Sequence, residues 1–296
     1  MYYNSNTELF LNGQWLKANE AVTDLFSQTL HYGNGVFEGI RAYETDGGTL
    51  VFKARAHYER LHYSAQKMHI KLPYTVEELV KITYELLERN KFKNAYIRPL
   101  VYLGANMSLT STNEVHVLIT AWEWGRYLGN KPLEVMVSSY RKSSPKALPV
   151  EAKITGHYTN SILATTEAKN KGFDEALLLD HDGFVAEGPG ANFFYEKDEV
   201  LYTPPKGGIM AGITRNTIIE YAREMGYKVE EALFRPEDVY EADAAFFTGT
   251  AVEVARIHSL DGHEMRAKWE DTLAYSLHLV YLQRVRHAEF YEFTLV

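Results

Sequence analysis

Apolar and polar positions in the first part of the chain predict a mixture of strands and helices. Phe10-Leu11 stands before Asn12-Gly13 and Trp15 follows it, a pattern typical of a β-hairpin. Thr75-Val76-Glu77-Glu78 is a capping box and marks the beginning of a helix. Apolar residues at helical spacing predict the faces of two helices, first Tyr58, Leu61, Ala65 and Met68, then Leu79, Ile82 and Leu86. Strands are predicted at Leu50–Phe52, Ala95–Tyr102 and Val115–Ala121.

The pattern breaks at Trp124, in a stretch rich in glycine and ending in proline. We interpret residues 124–133 as a linker between a smaller N-terminal α/β domain, 1–123, and a larger C-terminal domain, 134–296. In the second domain, strands are predicted at Glu134–Val137, Ala176–Leu179, Ala191–Tyr195, near Val229 and at Ala244–Thr248, and helices at Thr159–Lys171, from Thr214 and at Trp269–Arg286. Because these elements interleave with hairpins, we expect an α+β or mixed α/β fold and not a simple parallel doubly wound sheet.

Composition narrows the classes of function. Lys plus Arg is 31 and Asp plus Glu is 39, which gives a net charge of −8 and argues against nucleic acid or an anionic membrane as partner. The 296 residues include no cysteine, so disulfides, thiolate catalysis and cysteine metal sites are excluded. The first residues lack the features of a signal peptide, and no apolar run reaches the roughly 18 residues of a spanning helix. We therefore expect a soluble cytoplasmic protein.

Three side chains carry the chemistry that pyridoxal phosphate requires. Lys153 lies in Ala-Lys-Ile-Thr-Gly-His-Tyr, which ends at Tyr158, and Glu187 opens Glu-Gly-Pro-Gly-Ala-Asn. A lysine amine can form a Schiff base with the cofactor aldehyde, and a phenol can hydrogen-bond the oxygen on its ring. A carboxylate beside the pyridine nitrogen keeps that nitrogen protonated, so that the ring withdraws electrons.

Two glycine-threonine stretches offer backbone N–H groups to a phosphate. Gly212-Ile213-Thr214-Arg215 stands at the start of a predicted helix, and Thr248-Gly249-Thr250-Ala251 follows a predicted strand. Taken singly, each is more often a helix cap or a turn. A bound phosphate also needs a fixed cation, and the residues themselves leave Arg55 and Arg215 as alternatives.

Taken together, these segments resemble the class IV, fold type IV pyridoxal-phosphate aminotransferases, and within them the branched-chain amino acid aminotransferases. The matching segments follow the family order over almost the whole length, and they are His31–Gly33, Val36–Arg41, Tyr96–Leu100, Lys153–Tyr158, Glu187–Phe194, Gly212–Arg215 and Thr248–Ala251. The resemblance implies a two-domain architecture with a mixed-sheet, barrel-like C-terminal domain that binds the cofactor. It also implies a homodimer or a larger homo-oligomer.

The resemblance assigns roles to residues of the cofactor site. Lys153 is similar to the Schiff-base lysine that moves the substrate proton, Tyr158 to the phenol at the ring oxygen, and Glu187 to the partner of the ring nitrogen. Arg55 matches the phosphate arginine, and Met210 falls where leucine usually lies under the ring. The remaining phosphate contacts implied by the resemblance are Gly212, Ile213, Thr214 and Thr250.

The implied reaction transfers the amino group of leucine, isoleucine or valine to 2-oxoglutarate, giving branched-chain 2-oxo acids and L-glutamate. Arg98 can bind the distal carboxylate of glutamate or 2-oxoglutarate. The other expected substrate contacts are Tyr32, Phe37, Gly39, Tyr96, Trp124, Tyr127, Thr250 and Ala251. Departures from the family pattern include Ala211, where proline is common, and a loop at Gly104–Ser108 that looks short.

Alternative readings keep the cofactor and change the reaction. A D-amino acid aminotransferase or an aminodeoxychorismate lyase would share the fold, and a non-catalytic pyridoxal-phosphate-binding protein would belong to another class. The run Phe37–Arg41 and the surroundings of Arg98 favour the branched-chain reading. We expect no metal site, because His31, His57 and His62 are irregularly spaced without a completing carboxylate.

Overall fold

The computed structural model describes residues 2–125, 127–129 and 131–291, so Arg126 and Asn130 of the predicted linker lie outside the described residues. Two compact units are present. The first contains the described residues of Met1–Gly125, Ala152–Gly156 and Val285–Val296, and the second those of Arg126–Glu151 and His157–Arg284. The first unit therefore takes in a short segment from the middle of the chain, and this segment carries Lys153.

The first unit is a mainly antiparallel sheet with three helices. Its strands are β1 (Glu8–Leu11), β2 (Gln14–Lys17), β3 (Gly35–Phe37), β4 (Ile40–Thr45), β5 (Gly48–Val51), β6 (Ala95–Leu103) and β7 (Val115–Trp122). Its helices are α1 (Gln28–Tyr32), α2 (Ala54–Lys67) and α3 (Val76–Asn90). The strands run in the order β2-β1-β7-β6-β4-β5, and β3 pairs with β6.

Local sequence signals explain several of these elements. The hairpin at Asn12-Gly13 is confirmed, since both turn residues have positive φ, and β1 pairs with β2 in antiparallel register. The capping box at Thr75 is also confirmed, because its side chain accepts from the Glu78 N–H group and the Glu78 side chain reaches back. The helix α2 follows the predicted stripe and buries Tyr58 and Leu61 in the core of the unit. Strands β3 and β4 were not predicted, because the glycine-rich run hides their alternation.

The second unit contains a closed barrel. Its strands are β8 (Leu133–Arg141), β9 (Glu175–Leu179), β10 (Val185–Glu187), β11 (Asn192–Lys197), β12 (Val200–Thr203), β13 (Lys228–Glu231), β14 (Ala244–Gly249), β15 (Glu253–Leu260) and β16 (His263–Glu264). Six of them close in the order β10-β9-β8-β15-β14-β11, since β11 pairs back with β10. Its helices are α4 (Tyr158–Asn170), α5 (Ile213–Glu224), α6 (Pro236–Val239) and α7 (Leu273–Arg284).

The mixed α/β fold class expected from the sequence is confirmed, with both antiparallel and parallel pairings in the barrel. Two predicted element bounds were wrong by four residues. Strand β8 runs to Arg141, four residues past its predicted end at Val137. The last helix starts at Leu273, because a 3₁₀ turn occupies Trp269–Asp271. Within the described part of the chain, no helix is long and apolar enough to cross a bilayer.

Candidate active site

In the first unit, the backbone around Lys153 is fixed on both sides. The Lys153 N–H group donates to Ser64 Oγ at 2.9 Å, and the Lys153 carbonyl accepts from the Phe37 N–H group at 3.1 Å. The neighbours Ala152 and Ile154 are buried in the core of the unit. Lys153 lies at the centre of a tight turn, in which the Ile154 N–H group donates to the Ala152 carbonyl at 3.1 Å. Its Nζ lies 4.9 Å from the centre of the Phe37 ring.

The amino group of Lys153 is enclosed, and its pKa is lowered to about 8. Burial contributes most, because it disfavours the charged ammonium, and the guanidinium groups of Arg60 and Arg98 act in the same direction. Glu38 and Tyr96 oppose the shift and only partly offset it. A much larger share of this lysine is therefore a neutral amine near neutral pH than of an exposed lysine, and a neutral amine can attack a carbonyl carbon.

A buried ionic network lies beside this lysine. Glu38 is fully buried and accepts from Arg60 at both oxygens, at 2.6 and 2.9 Å, and from His57 Nδ1 at 2.8 Å. Burial opposes ionisation of Glu38, but Arg60 and His57 outweigh it, so the pKa of this carboxyl lies well below its usual range. Burial lowers the pKa of His57. The network thus fixes the Arg60 guanidinium in place near Lys153.

An aromatic group around Phe37 carries the second cation. The Arg98 guanidinium lies 4.7 Å from the centre of the Phe37 ring, and its Nη2 donates to the Tyr96 hydroxyl at 3.1 Å. Trp124 packs edge-on against Tyr96 at 4.9 Å. A side chain at Gly39 would collide with the Tyr96 hydroxyl, so glycine is required there. Arg98 Nε is buried without a hydrogen-bond partner, which leaves a charged donor for an acceptor such as a carboxylate.

Two predicted residues of this unit lie apart from that group. Arg55, the predicted phosphate cation, forms a 2.8 Å ion pair with Glu77, and both side chains are more than one-third exposed. Tyr32, a predicted pocket wall, is exposed, and its hydroxyl donates to the Met107 carbonyl at 3.1 Å. Their predicted roles stay predictions, and the described cations of this unit that act on Lys153 are Arg60 and Arg98.

In the second unit, three donors converge on Glu187. This carboxylate is buried at the end of β10, and Lys142 Nζ lies 2.5 Å from its Oε1. The Asn192 Nδ2 group donates to Oε2 at 3.0 Å, and the Met210 N–H group reaches Oε1 at 3.4 Å. A carboxylate has about four lone-pair directions. These contacts therefore leave one direction for a further N–H donor.

Asn192 connects this carboxylate to the beginning of α5. Its Oδ1 accepts from the Gly212 N–H group at 3.1 Å, and its Nδ2 also donates to the Met210 carbonyl at 2.8 Å. A side chain at Gly212 would collide with Asn192 Oδ1, so glycine is required at this helix cap. No side chain caps α5, whose first N–H groups, from Ile213 and Thr214, have no partner within the helix. Such a helix end is suited to a phosphate.

Thr248 adds a second polar group to this region. It pairs with Asn192 across β11 and β14, and its hydroxyl is buried without a hydrogen-bond partner. The predicted phosphate residue Thr250 follows at the end of β14. Ala251 accepts a 3.0 Å hydrogen bond from the N–H group of Tyr127, whose side chain is exposed.

The predicted phenol, Tyr158, is half-buried at the beginning of α4. Burial alone would lower the pKa of Lys142, but Glu187 outweighs it, and Tyr158 adds to the same effect, so the pKa is raised. Lys142 is therefore a stable cation near both predicted cofactor residues.

Sequence reasoning missed four of these residues as parts of a site: Glu38, Arg60, Lys142 and Asn192. Glu38 and Asn192 stood inside the motifs that carry the resemblance, but a motif does not show which side chains face one another. Lys142 follows a strand whose end was placed too early. For Arg60, the available signal was the helical register of α2, since it follows His57 by three residues and shares its face.

These groups have the chemistry of an enzyme that condenses a lysine with a carbonyl compound. The family model for class IV amino-transferases matches residues 35–260. The branched-chain-amino-acid aminotransferase of Pseudomonas aeruginosa is 43% identical over 265 residues, which are 88% of this chain and 86% of that protein. The chain therefore belongs to the class IV aminotransferase family.

Solved structures agree with this assignment. The branched-chain aminotransferase from Thermoproteus uzoniensis, solved with norvaline, has a TM-score of 0.92 and 38% identity, covering 96% of this chain and 97% of that one. The branched-chain amino acid aminotransferase from Thermobaculum terrenum, solved in its PLP form, has a TM-score of 0.91 and 32% identity, covering 97% of each chain. The resemblance found in the sequence, including its fold type, is confirmed.

Proposed function

We propose that this protein is a pyridoxal-5'-phosphate-dependent transaminase that exchanges the amino group of leucine, isoleucine or valine with 2-oxoglutarate. The products are the branched-chain 2-oxo acids and L-glutamate. The observation that carries the proposal is the lowered pKa of Lys153, about 8, in a family whose similar members are branched-chain aminotransferases. Its small-molecule partners are accordingly amino acids and 2-oxo acids.

The residues of each unit fit the cofactor. When bound, pyridoxal phosphate supplies an aldehyde that condenses with amines and a ring that withdraws electrons from the substrate α-carbon. Lys153 would bond the aldehyde carbon, and Glu187 would accept the ring N–H at its remaining lone pair. Ile213 and Thr214, at the uncapped start of α5, would donate to the phosphate. The buried hydroxyl of Thr248 is an additional donor suited to an anion.

The remaining predicted cofactor contacts keep their assigned roles in this proposal. Tyr158 would donate to the ring oxygen, Met210 would lie under the ring, and Gly212 and Thr250 would contact the phosphate. For the phosphate cation, we favour Arg60 over Arg55, since Arg60 is held beside Lys153 and Arg55 is turned to Glu77. A phosphate would then use a guanidinium that Glu38 already orients.

Lys153 would also move the proton. Once an amino acid takes its place, its neutral amine would remove the proton from the substrate α-carbon and would deliver it to the cofactor carbon that carried the aldehyde. General bases of this kind act best when their pKa lies near the working pH. The enclosed amine, with its pKa of about 8, meets that condition.

Arg98 would allow one pocket to serve both half-reactions. Its guanidinium lies among the rings of Phe37 and Tyr96, and its buried Nε is without a partner. The apolar rings would pack on a leucine side chain, while the guanidinium would bind the distal carboxylate of 2-oxoglutarate. Gly39 and Trp124 would complete this group through their contacts with Tyr96. Tyr32, Tyr127 and Ala251 remain proposed substrate contacts.

A homodimer or larger homo-oligomer in the cytoplasm is the form we propose. The first unit exposes a run of apolar side chains, which are Val22, Leu25, Phe26 and Leu30, each more than 60% exposed. Such a surface is typical of a protein interface. Light scattering of the purified protein would test this form, and a mass of one chain would contradict it.

The visible absorption spectrum of the protein with pyridoxal phosphate tests the function. We expect a band from cofactor bound to Lys153, which L-leucine converts to the near-ultraviolet band of pyridoxamine 5'-phosphate. The Lys153→Met variant is the matched control and should show neither change. A band that only D-alanine converts would contradict the L-substrate assignment, and the absence of any band would overturn the cofactor assignment.

A further inference from the structure

A lysine outside the predicted site lies against the carboxylate proposed to hold the cofactor ring. Lys142 follows the last residue of β8, its side chain is 15% exposed, and its Nζ lies 2.5 Å from Glu187 Oε1. Burying an ammonium beside a carboxylate has a desolvation cost, because both ions lose their contact with water. Here the Lys142 ammonium and the Glu187 carboxylate compensate each other's charge.

We propose that Lys142 is a positioning residue for Glu187: its ammonium orients the carboxylate and limits how firmly Glu187 and the cofactor ring nitrogen hold the proton between them. This inference rests on the proposed function, because it concerns the same carboxylate. Lys142 acts through Glu187 and does not itself touch the reacting atoms.

The direction of the effect follows from the charges around Glu187. Among the described residues, the cation paired with Glu187 is Lys142, and the neutral donors are Asn192 and the Met210 N–H group. Tyr158 on α4 acts on Lys142. The Lys142 ammonium, an ionised Glu187 and a protonated ring together carry a net charge of +1. Without Lys142 the same pair is neutral, so its proton should be lost only at a higher pH.

Orientation is the second part of the proposal. Lys142 and the Met210 N–H group both reach Oε1, whereas Asn192 donates to Oε2. The carboxylate plane is thereby fixed from two sides. Removing Lys142 leaves a 3.4 Å contact as the donor to Oε1 among the described residues, so Glu187 should gain rotational freedom.

Two neutral replacements and one charged replacement separate charge from packing. Lys142→Met keeps the apolar stem, Lys142→Gln keeps a polar end, and Lys142→Arg keeps the cation. Lys146→Met is the matched control, because Lys146 is an exposed lysine of the same loop. All variants use the full chain, and thermal unfolding identifies any variant that does not fold, in which case the other neutral variant carries the test.

The first measurement needs no cofactor. Infrared difference spectra between each variant and its Glu187→Gln counterpart give the titration of the Glu187 carboxyl group. We expect Lys142→Met and Lys142→Gln to raise its midpoint by at least about one pH unit, the usual effect of removing an opposite charge within about 4–6 Å. Lys142→Arg and Lys146→Met should leave it unchanged.

The second measurement uses ¹⁵N-labelled pyridoxal phosphate. The NMR shift of its ring nitrogen reports the bound proton, and the neutral variants should keep that proton to a higher pH than the wild type. Unchanged midpoints in both neutral variants would overturn the proposal, as would equal shifts in Lys142→Arg. If the wild type fails to bind the cofactor, the proposed function fails, while the infrared titration still decides whether Lys142 controls Glu187.

Discussion

The buried carboxylate of Glu38 offers the sharpest test of how the first unit holds Arg60 near Lys153. Replacing Glu38 by Gln keeps the size of the side chain and removes its charge. The carboxylate is fully buried and accepts two hydrogen bonds from Arg60, one from His57 and one from the Gly39 N–H group. A glutamine has one oxygen acceptor, so at least one of these donors would be left without a partner.

The expected loss of unfolding free energy is about 3–5 kcal/mol, the usual cost of breaking a buried ion pair by removing one partner. Urea denaturation of the cofactor-free chain at pH 7.5 would measure it. Glu77→Gln is the matched control, because Glu77 pairs at an exposed position with Arg55, which lies on α2 as Arg60 does. That control should leave the urea midpoint unchanged.

The pH dependence gives a second readout with a defined sign. The pKa of Glu38 lies well below its ordinary value of 4.5, so its stabilising contribution is present above about pH 4.5 and is lost as the pH falls. The wild type should therefore lose stability in acid more steeply than Glu38→Gln. Equal stabilities at pH 7.5, or parallel acid slopes, would refute the ionic network.

Three further predictions concern the proposed reaction. Because the pKa of Lys153 is about 8, the rate at which the cofactor-free chain captures pyridoxal phosphate should rise through pH 8, and a stopped-flow rate independent of pH would contradict this. Arg98→Ala should raise the KM for 2-oxoglutarate about 10- to 100-fold, because a charged hydrogen bond is lost. An equal rise in the KM for leucine would contradict the proposal that Arg98 binds the distal carboxylate. Glu187→Gln should bind cofactor, measured by absorbance, yet lose about 10²–10³-fold in kcat, since a carboxylate about 4 Å from a pyridinium contributes roughly 4 kcal/mol. Near-normal turnover would refute the ring-nitrogen role.

Much of the fold could be predicted because its signals are local. The Asn12-Gly13 turn and the Thr75 capping box each depend on a few neighbouring residues. The family resemblance implied a barrel-like domain, but the local pattern could not predict how the barrel closes, since closure depends on β10 pairing with both β9 and β11. Strand β10 is three residues long, Val185–Glu187, and too short to show a period of two. Its existence is decided by neighbours that are known only once the chain is folded.

The candidate site likewise contains some residues that could be predicted from the sequence and others that could not. Lys153, Tyr158 and Glu187 could be singled out because their functional groups are unusual together and stand in recognisable motifs. Their partners could not, since Arg60 and Lys142 are ordinary basic residues among 31 in the sequence. What distinguishes them is burial beside an ionised carboxylate, a property of packing that no spacing reveals.

Glu38 and Glu187 each pair with a basic side chain, but the lysine near the first pair has a lowered pKa and the lysine in the second has a raised pKa. Glu38 offsets much of the charge of Arg60, and the guanidinium still lowers the pKa of the neighbouring Lys153 so that it can act as an amine. Glu187 raises the pKa of Lys142 and keeps that lysine charged. Glu187 outweighs burial at Lys142, whereas at Lys153 burial and the guanidinium groups of Arg60 and Arg98 outweigh Glu38. The reactive lysine is therefore the one whose charged form burial and two neighbouring guanidinium groups disfavour.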